Sequence, residues 1–287
     1  MISVIIPALN ERGAIESTVE RTKRVLEGVG LQPYEIIVVD DGSSDGTGDL
    51  ARAAGAKVVT HPHNVGYGRS LKDGITAASY DLICITDADG SYPIESIPDL
   101  IEDYRRGFDM VIGARTGKFY RESIIKSPLR WVLRQVVQYT ASRHIPDINS
   151  GLRVFNKFTA MKFFSHVSDQ FSFTTSLTLS YMMNNKYVKY RTIRYHARTG
   201  KSKVHLFRDS LRTLQYVVEA ATYYNPMKIF VFFGAVCLAI AFISIAGGLI
   251  WQLKSAFFLG AGAILIAILI CAMGLLAVLL KQIMNQT

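Results

Sequence analysis

From Ile229 to Leu253 the chain runs for 25 residues with Ser244 and Gln252 as its only polar side chains, and from Ser255 to Leu280 for another 26 with Ser255 alone. About 20 apolar residues cross the hydrocarbon core of a bilayer, so each stretch is long enough to span one. A buried helix pair is the competing reading, but core helices of this length normally keep a polar face. The loop around Gln252 and Lys254 permits only a tight hairpin, so both of its ends must face the same side. Residues 227–287 hold no Asp or Glu and only Lys228, Lys254 and Lys281 as basic residues. The other 29 of the 32 basic residues and all 23 acidic ones lie in 1–226, which therefore carries +6. A basic globular region joined to an uncharged tail excludes a simple soluble enzyme, a disulfide-stapled secreted domain and a disordered chain.

Lys201, Lys203, Arg208, Arg212 and Lys228 precede the first span and Lys281 follows the second, against Lys254 alone between them. The positive-inside rule then predicts an integral membrane protein with two transmembrane helices, its residues 1–226 and both termini cytoplasmic. The opening MISVIIPALNER has no basic stretch ahead of its apolar run and is broken by Pro7, Asn10 and Glu11, so no cleavable signal is expected. Cys84 falls in an expected strand and Cys237 and Cys271 in the spans, none of them in disulfide or metal-ligand spacing.

In the globular region, Ile2–Ile6, Glu35–Val39, Lys57–Thr60, Leu82–Thr86 and Met110–Ile112 read as strands. Several are too uniformly apolar for a sheet with one wet face. Residues 13–28, 47–54, 67–79 and 93–106 read as helices, with Pro93 suited to a first turn and Gly55 to a helix end. This alternation predicts an α/β fold with a mostly parallel sheet and helices on both faces. Ligands of such sheets bind beyond the carboxyl ends of the strands. There stand Pro7-Ala8-Leu9-Asn10-Glu11, then Asp40-Asp41-Gly42-Ser43-Ser44-Asp45-Gly46-Thr47, then Asp87-Ala88-Asp89-Gly90. Neither GxGxxG nor GxxxxGK[ST] occurs, which argues against a dinucleotide or P-loop site. His61-Pro62-His63-Asn64 with Gly66 and Gly68 suits an ordinary strand-to-helix turn at least as well as a phosphate loop.

Asp87 and Asp89 place two carboxylates one residue apart at a strand end. Mg2+ and Mn2+ take oxygen ligands, commonly one or two carboxylates completed by substrate phosphates. A nucleoside diphosphate needs that neutralisation to bind and to leave; a solvated turn is the alternative. Asp40 and Asp41 suit a nucleotide base or ribose, because carboxylates accept hydrogen bonds from hydroxyl and ring N–H groups. Turn chemistry is the alternative there.

The order PALNE, VVDDGSSDGT, HNVGYGRSLKDGI and ITDADGSYP resembles the inverting family-2 glycosyltransferases with the GT-A nucleotide-sugar-binding fold. Asp147-Ile148-Asn149-Ser150-Gly151-Leu152-Arg153-Val154-Phe155 and Arg198-Thr199-Gly200-Lys201-Ser202-Lys203 are similar to segments of the polyprenyl-phosphate glycosyltransferases, the dolichyl-phosphate mannose synthase and bactoprenol glucosyltransferase group. The resemblance covers 1–226, and the two-span hairpin suits the group. It implies that Pro7, Asn10, Glu11, Asp40 and Asp41 hold the nucleoside, that Asp87 lies beside nucleotide and sugar, and that Asp89 ligates Mg2+ or Mn2+ through the donor diphosphate. It further implies Ser150 and Arg153 at the acceptor and Arg198 and Lys203 on phosphates. Two departures stand out: Ser91 occupies the place of a Gln that ligates metal in several members, and only Asp147 and Asp169 are candidates for an acceptor-side base.

A phosphate monoester carries most of its second charge at pH 7, with a second pKa of about 6, so it can attack unaided if cations hold it in line. Residues 112–153 hold Arg115, Arg121, Arg130, Arg134, Arg143 and Arg153. Arg115, Arg130 and Arg134 are favoured for the acceptor phosphate, since Arg binds phosphate bidentately; a solvent or lipid-headgroup contact is the alternative for any one of the six. Ile125, Leu129, Val132, Leu133, Val136 and Val137 repeat at helical spacing beside Lys126, Arg130 and Arg134. Phe207, Leu211, Leu214, Val218 and Ala221 do so beside Arg208 and Arg212. Basic amphipathic helices of this kind lie in the membrane interface.

The expected organisation is a catalytic domain over 1–200 containing an interface helix within 118–143, a juxtamembrane helix over 201–226, and a transmembrane hairpin over 227–287. The expected reaction is metal-dependent hexose transfer to polyprenyl phosphate from a nucleotide sugar, UDP-glucose first and GDP-mannose next. The expected partners are donor, acceptor and membrane lipids, with a homo-oligomer left open and no nucleic acid, because no stacking-aromatic motif accompanies the basic residues. A processive polysaccharide synthase and a catalytically silent membrane subunit are the rivals. Ser127-Pro128-Leu129-Arg130-Trp131 lacks the Gln of the synthase motif, and both Asp87 and Asp89 are retained.

Overall fold

The computed structural model describes residues 1–117, 143–197 and 225–284, together with positions 135, 138, 139, 141, 215, 218, 219 and 222. The chain divides into two compact units, Met1–Tyr216 and Val217–Thr287. Both expected amphipathic helices, and with them Arg121, Arg130, Arg134, Arg198 and Lys203, lie outside the described residues or rest on isolated positions.

In the first unit the apolar runs form β1 (Ile2–Ala8), β2 (Tyr34–Asp40), β3 (Lys57–Thr60), β4 (Leu82–Ile85) and β5 (Met110–Thr116). The helical patterns between them form α1 (Ile15–Gly28), α2 (Thr47–Ala53), α3 (Tyr67–Ala77) and α4 (Ile97–Arg105). Pro93 does not open the last of these. It precedes a short 3-10 turn, Ile94–Ser96, and Pro98 takes the first-turn position. Further on come β6 (Arg153–Asn156), α5 (Lys157–Met161), α6 (Phe173–Met183) and β7 (Val188–Arg194).

The sheet runs in the order β3-β2-β1-β4-β6-β5-β7, and only β6 is antiparallel to its neighbours. Every other strand therefore ends at one edge, and β6 begins there, with Arg153 beside Ile85. Successive side chains alternate between two cores. Val4, Ile6, Val38, Cys84 and Val154 pack under α1, α2 and α4. Ile5, Ile37, Val39, Ile85 and Phe155 pack under α3, α5 and α6. Burial on both faces is why these strands read as continuous apolar runs. Residues Gly113–Thr116, beyond the expected end of β5, are held by pairing with Arg191–Arg194 of β7.

β7 is tied to α4 by charge. Asp103 is fully buried and accepts from Lys189 Nζ at 2.9 Å and Arg191 Nη1 at 3.0 Å. Hydrogen bonding from Lys189, then Arg191, holds its carboxyl below the usual range. A carboxyl depressed in the folded state contributes stability above its unfolded pKa of about 4 and loses it as pH falls through the folded value. Asp103→Asn is thus expected to melt below the parent at neutral pH, with the gap closing as the pH falls below the ordinary carboxyl value of about 4. Thermal melts of both proteins in detergent across that range check it.

The second unit is a helical hairpin, α7 (Pro226–Trp251) and α8 (Lys254–Met284), with Gln252 in the left-handed conformation at the turn (φ 52°). Mean hydropathies of 2.8 and 3.1 make both helices long and apolar enough to cross a membrane. Small residues recur every seven positions along each inner face: Gly234, Ala241 and Gly248 on α7, Gly260, Ala267 and Gly274 on α8. A Cβ at Gly260 would stand 2.5 Å from Ile245 Cγ1, and one at Gly274 2.7 Å from Phe230 Cβ, so the helices meet too closely for larger side chains. Ser244 Oγ donates across the hairpin to Ala256 O at 2.9 Å, which satisfies a hydroxyl in an otherwise apolar segment.

Candidate active site

Turn chemistry builds the first wall at the carboxyl edge. Asn10, at φ 50°, accepts from Ser44 N at 2.9 Å through Oδ1, and its own N donates to Ser43 Oγ at 2.9 Å. Glu11 N donates to Thr47 Oγ1 and Arg12 N to Asp45 Oδ2, so the loops after β1 and β2 are laced together. Pro7 lies in β1 itself, and Asp40 at the end of β2 is buried, with Oδ1 accepting from Ser43 N at 3.0 Å. Asp41 points elsewhere. It is 4% exposed, and its carboxylate accepts from Val65 N and Gly66 N at 3.0 Å each, with His61 Nδ1 at 2.8 Å. Asp41 thus braces the loop leading into α3.

Beyond β4, Asp87 is half-buried and accepts from Tyr67 Oη at 3.0 Å. Gly151 lies against the same carboxylate, where a Cβ would come to 2.9 Å from Oδ1. Asp89 is 3% exposed and accepts from both Ser91 N and Ser91 Oγ through Oδ1. Ser91 therefore orients Asp89 from within the turn. Among the described residues no group of three or more His, Cys, Asp or Glu is assembled that could hold a metal ion. Two hard-oxygen carboxylates one residue apart still suit Mg2+ or Mn2+, which bind with few protein ligands when substrate phosphates complete the shell.

The loop before β6 supplies the opposite wall. Asp147 is 3% exposed and grips Arg115 bidentately, with Nε–Oδ2 at 2.7 Å and Nη2–Oδ1 at 2.9 Å, and it also accepts from Arg115 N. Arg115 lies over the Tyr195 ring at 5.4 Å, and Tyr195 meets Tyr92 edge to face. Tyr92 Oη in turn accepts from Gly151 N at 2.6 Å. Asp147, engaged through both oxygens by a guanidinium, holds Arg115 in a fixed orientation. Asp169, the other candidate base, pairs with Lys72 Nζ at 2.6 Å.

Arg153 and Ser150 face inward. Arg153 is fully buried, donating to Ser150 O, to Thr174 O at 3.0 Å and to Thr178 Oγ1 at 3.1 Å. Ser150 Oγ donates to Gly113 O. Both side chains pin the 147–152 loop to the sheet and to α6. Arg143 donates to Lys186 O at 3.0 Å, away from the edge loops. Tyr67, Tyr92 and Tyr195 were not among the expected site residues. Tyr67 and Tyr92 stand inside the motifs HNVGYG and ADGSYP, where their nearness to the acidic pair was the available signal.

The chain is 29% identical to the low-salt glycan biosynthesis hexosyltransferase Agl6 of Haloferax volcanii over 231 residues, 78% of this chain and 54% of that protein. It is 28% identical to the undecaprenyl-phosphate 4-deoxy-4-formamido-L-arabinose transferase of Edwardsiella ictaluri over 249 residues, 84% of this chain and 74% of that protein. The corresponding transferase of Serratia proteamaculans is 32% identical over 54% of this chain and 49% of its own length, so the chain spans about half of several curated relatives. Among solved structures, glucosyl-3-phosphoglycerate synthase of Mycobacterium tuberculosis, in complex with Mn2+, UDP and glucosyl-3-phosphoglycerate, superposes with a TM-score of 0.61 at 22% identity, over 77% of this chain and 80% of that one. That likeness concerns the fold, a GT-A-like α/β architecture with a mostly parallel sheet. Residues 3–168, more than half of the chain, match Glycosyl transferase family 2, and the protein is a member of that family of glycosyltransferases.

Proposed function

We propose that this glycosyltransferase moves a hexose from a nucleotide sugar, UDP-glucose in first place, to polyprenyl phosphate at the cytoplasmic face of a membrane. The observation that carries the proposal is the pairing of Arg115 with Asp147 on the same sheet edge as Asp87 and Asp89. Both candidate bases are ion-paired, which suits a nucleophile that needs no deprotonation. A phosphate monoester is such a nucleophile, because it is already largely dianionic at pH 7. Arg115, held flat by Asp147 and stacked over Tyr195, presents a guanidinium of fixed orientation to that phosphate.

In the proposed reaction an acceptor phosphate oxygen forms the new bond to the anomeric carbon as the bond to the nucleoside diphosphate breaks, inverting that carbon. Pro7, Asn10, Glu11 and Asp40 line the nucleoside side, and Asp87 orients the sugar-bearing end. Asp87 and Asp89 would hold Mg2+ or Mn2+, whose charge offsets that of the departing diphosphate. Arg198 and Lys203, by the resemblance of their segment, contact phosphates. The names of the undecaprenyl-phosphate transferases support the acceptor class, and that of the Agl6 hexosyltransferase supports the hexose. The hairpin supports delivery at a membrane, and the excess of basic residues flanking it supports the cytoplasmic side.

The test uses purified protein in detergent with Mn2+, polyprenyl phosphate and labelled UDP-glucose, UDP-N-acetylglucosamine or GDP-mannose. Label is expected in the lipid phase from one donor and is lost with EDTA. No lipid-borne label from any donor, with no nucleotide binding by calorimetry, would turn the reading toward a silent subunit. Arg115→Ala is expected to lower kcat/KM for the lipid acceptor by about 10²-fold, as removal of one partner of a hydrogen-bonded charge pair does. Its affinity for UDP should stay unchanged, and a lipid titration beside UDP calorimetry checks both halves.

A further inference from the structure

Tyr67 opens α3, and its hydroxyl donates to Asp87 Oδ1 at 3.0 Å. Its ring lies nearly parallel to that of Phe171, with centroids 5.7 Å apart and planes 10° from coplanar. A phenol is protonated at pH 7, so Tyr67 serves as the donor to Asp87. Phe171 is 39% exposed. A large aromatic left open beside an acidic pair, with its inner face backed by a second ring, is a surface built to receive something.

The stack is held from several directions. Arg69 N donates to Asp169 O at 2.9 Å, and Gln170 Nε2 to Val65 O at 3.4 Å. Lys72 Nζ donates to Val167 O at 2.6 Å and to Phe164 O at 2.9 Å, besides pairing with Asp169. Gly68 lets the 168–170 backbone approach so closely that any Cβ there would collide with Ser168 O. The first turn of α3 and the 167–171 loop thus behave as one piece, and Asp87 is attached to it through Tyr67.

Resting on the proposed donor, we propose that Phe171, backed by Tyr67, is the wall against which the donor sugar packs, and that Tyr67 positions Asp87 relative to that sugar. An aromatic face carries negative charge density and suits the polarised C–H face of a pyranose. The polar side chains of Asp169 and Gln170 flank the ring, as a ligand with hydroxyls around an apolar face requires. An isoprenoid chain would instead want a run of apolar neighbours, and the 168–172 segment, Ser-Asp-Gln-Phe-Ser, has Phe171 as its single apolar side chain.

Calorimetry with Mn2+ and either UDP-glucose or UDP separates the sugar's contribution from the nucleotide's. Phe171→Ala is expected to weaken UDP-glucose about tenfold and leave UDP unchanged, with Phe171→Trp restoring the difference. Tyr67→Phe keeps the stack but removes the hydrogen bond to Asp87, so it should lower kcat about tenfold while leaving the UDP-glucose to UDP affinity ratio near that of the parent. Equal affinities for parent and Phe171→Ala, or equal losses for both ligands, would overturn the wall and leave the donor assignment standing. A rise only in the KM for polyprenyl phosphate would give the ring to the acceptor and overturn it too. Failure of the parent to bind either ligand would remove the donor assignment and this inference with it.

Discussion

Asp89→Ala is expected to lower sugar transfer by at least about 10³-fold while the first unit stays folded. The magnitude follows from the several kcal/mol that a divalent ion contributes to stabilising a leaving diphosphate. Asp89 is 3% exposed and aimed by two hydrogen bonds from Ser91, so its carboxylate has little freedom to be replaced by a neighbour. Asp89→Asn, which keeps the volume and one acceptor oxygen, should lose nearly as much, because the missing quantity is charge. Ser91→Ala should cost far less, since it loosens Asp89 without removing it. Rates measured over a Mn2+ titration distinguish these cases: the Ser91 variant is partly rescued by excess metal and the Asp89 variants are not. Normal turnover by Asp89→Ala would remove Asp89 from the metal site.

Arg153→Ala is expected to fail in folding, where its motif alone suggests a weakened acceptor. Truncation removes a large, fully buried side chain and leaves Ser150 O, Thr174 O and Thr178 Oγ1 without their donor. Cavity and unsatisfied groups together cost about 3–5 kcal/mol, a large share of the 5–15 kcal/mol typical of a whole domain. The accumulated protein should fall, and protease sensitivity of the 147–152 loop should rise. Arg115→Lys, which keeps a cation beside the buried Asp147 but loses the bidentate fork, should accumulate normally and lose activity. A well-folded Arg153→Ala with only a raised acceptor KM would reverse this assignment.

The strands, their alternation with helices and the hairpin were legible because their signals are local. Run length marks the spans, and turn chemistry marks Asp40–Thr47 and Asp87–Gly90 as strand-end loops. β7 was not legible: its sequence VKYRTIR is polar, and its cations are drawn in by Asp103 from α4. α6 was hidden for a related reason. Its Thr and Ser residues are buried all round, so it shows no amphipathic stripe. The seven-residue spacing of small residues in the hairpin is visible in the chain, but it acquires meaning only when the antiparallel register brings Gly260 to Ile245 and Gly274 to Phe230.

The candidate site divides the same way. That acidic and polar residues gather at one edge of a parallel sheet follows from the order of motifs and the direction of the strands. Which of them face the ligand does not. Asp40 and Asp41 are neighbours in the chain, yet Asp41 turns to meet amide groups 24 and 25 residues away. Asp147 is matched to Arg115 across 32 residues, and Arg153 to Thr174 and Thr178 across 21 and 25. A carboxylate or guanidinium has the same local signature whether it points to solvent or to a buried partner. Its role depends on a desolvation cost and a pairing that arise only once distant segments are packed together.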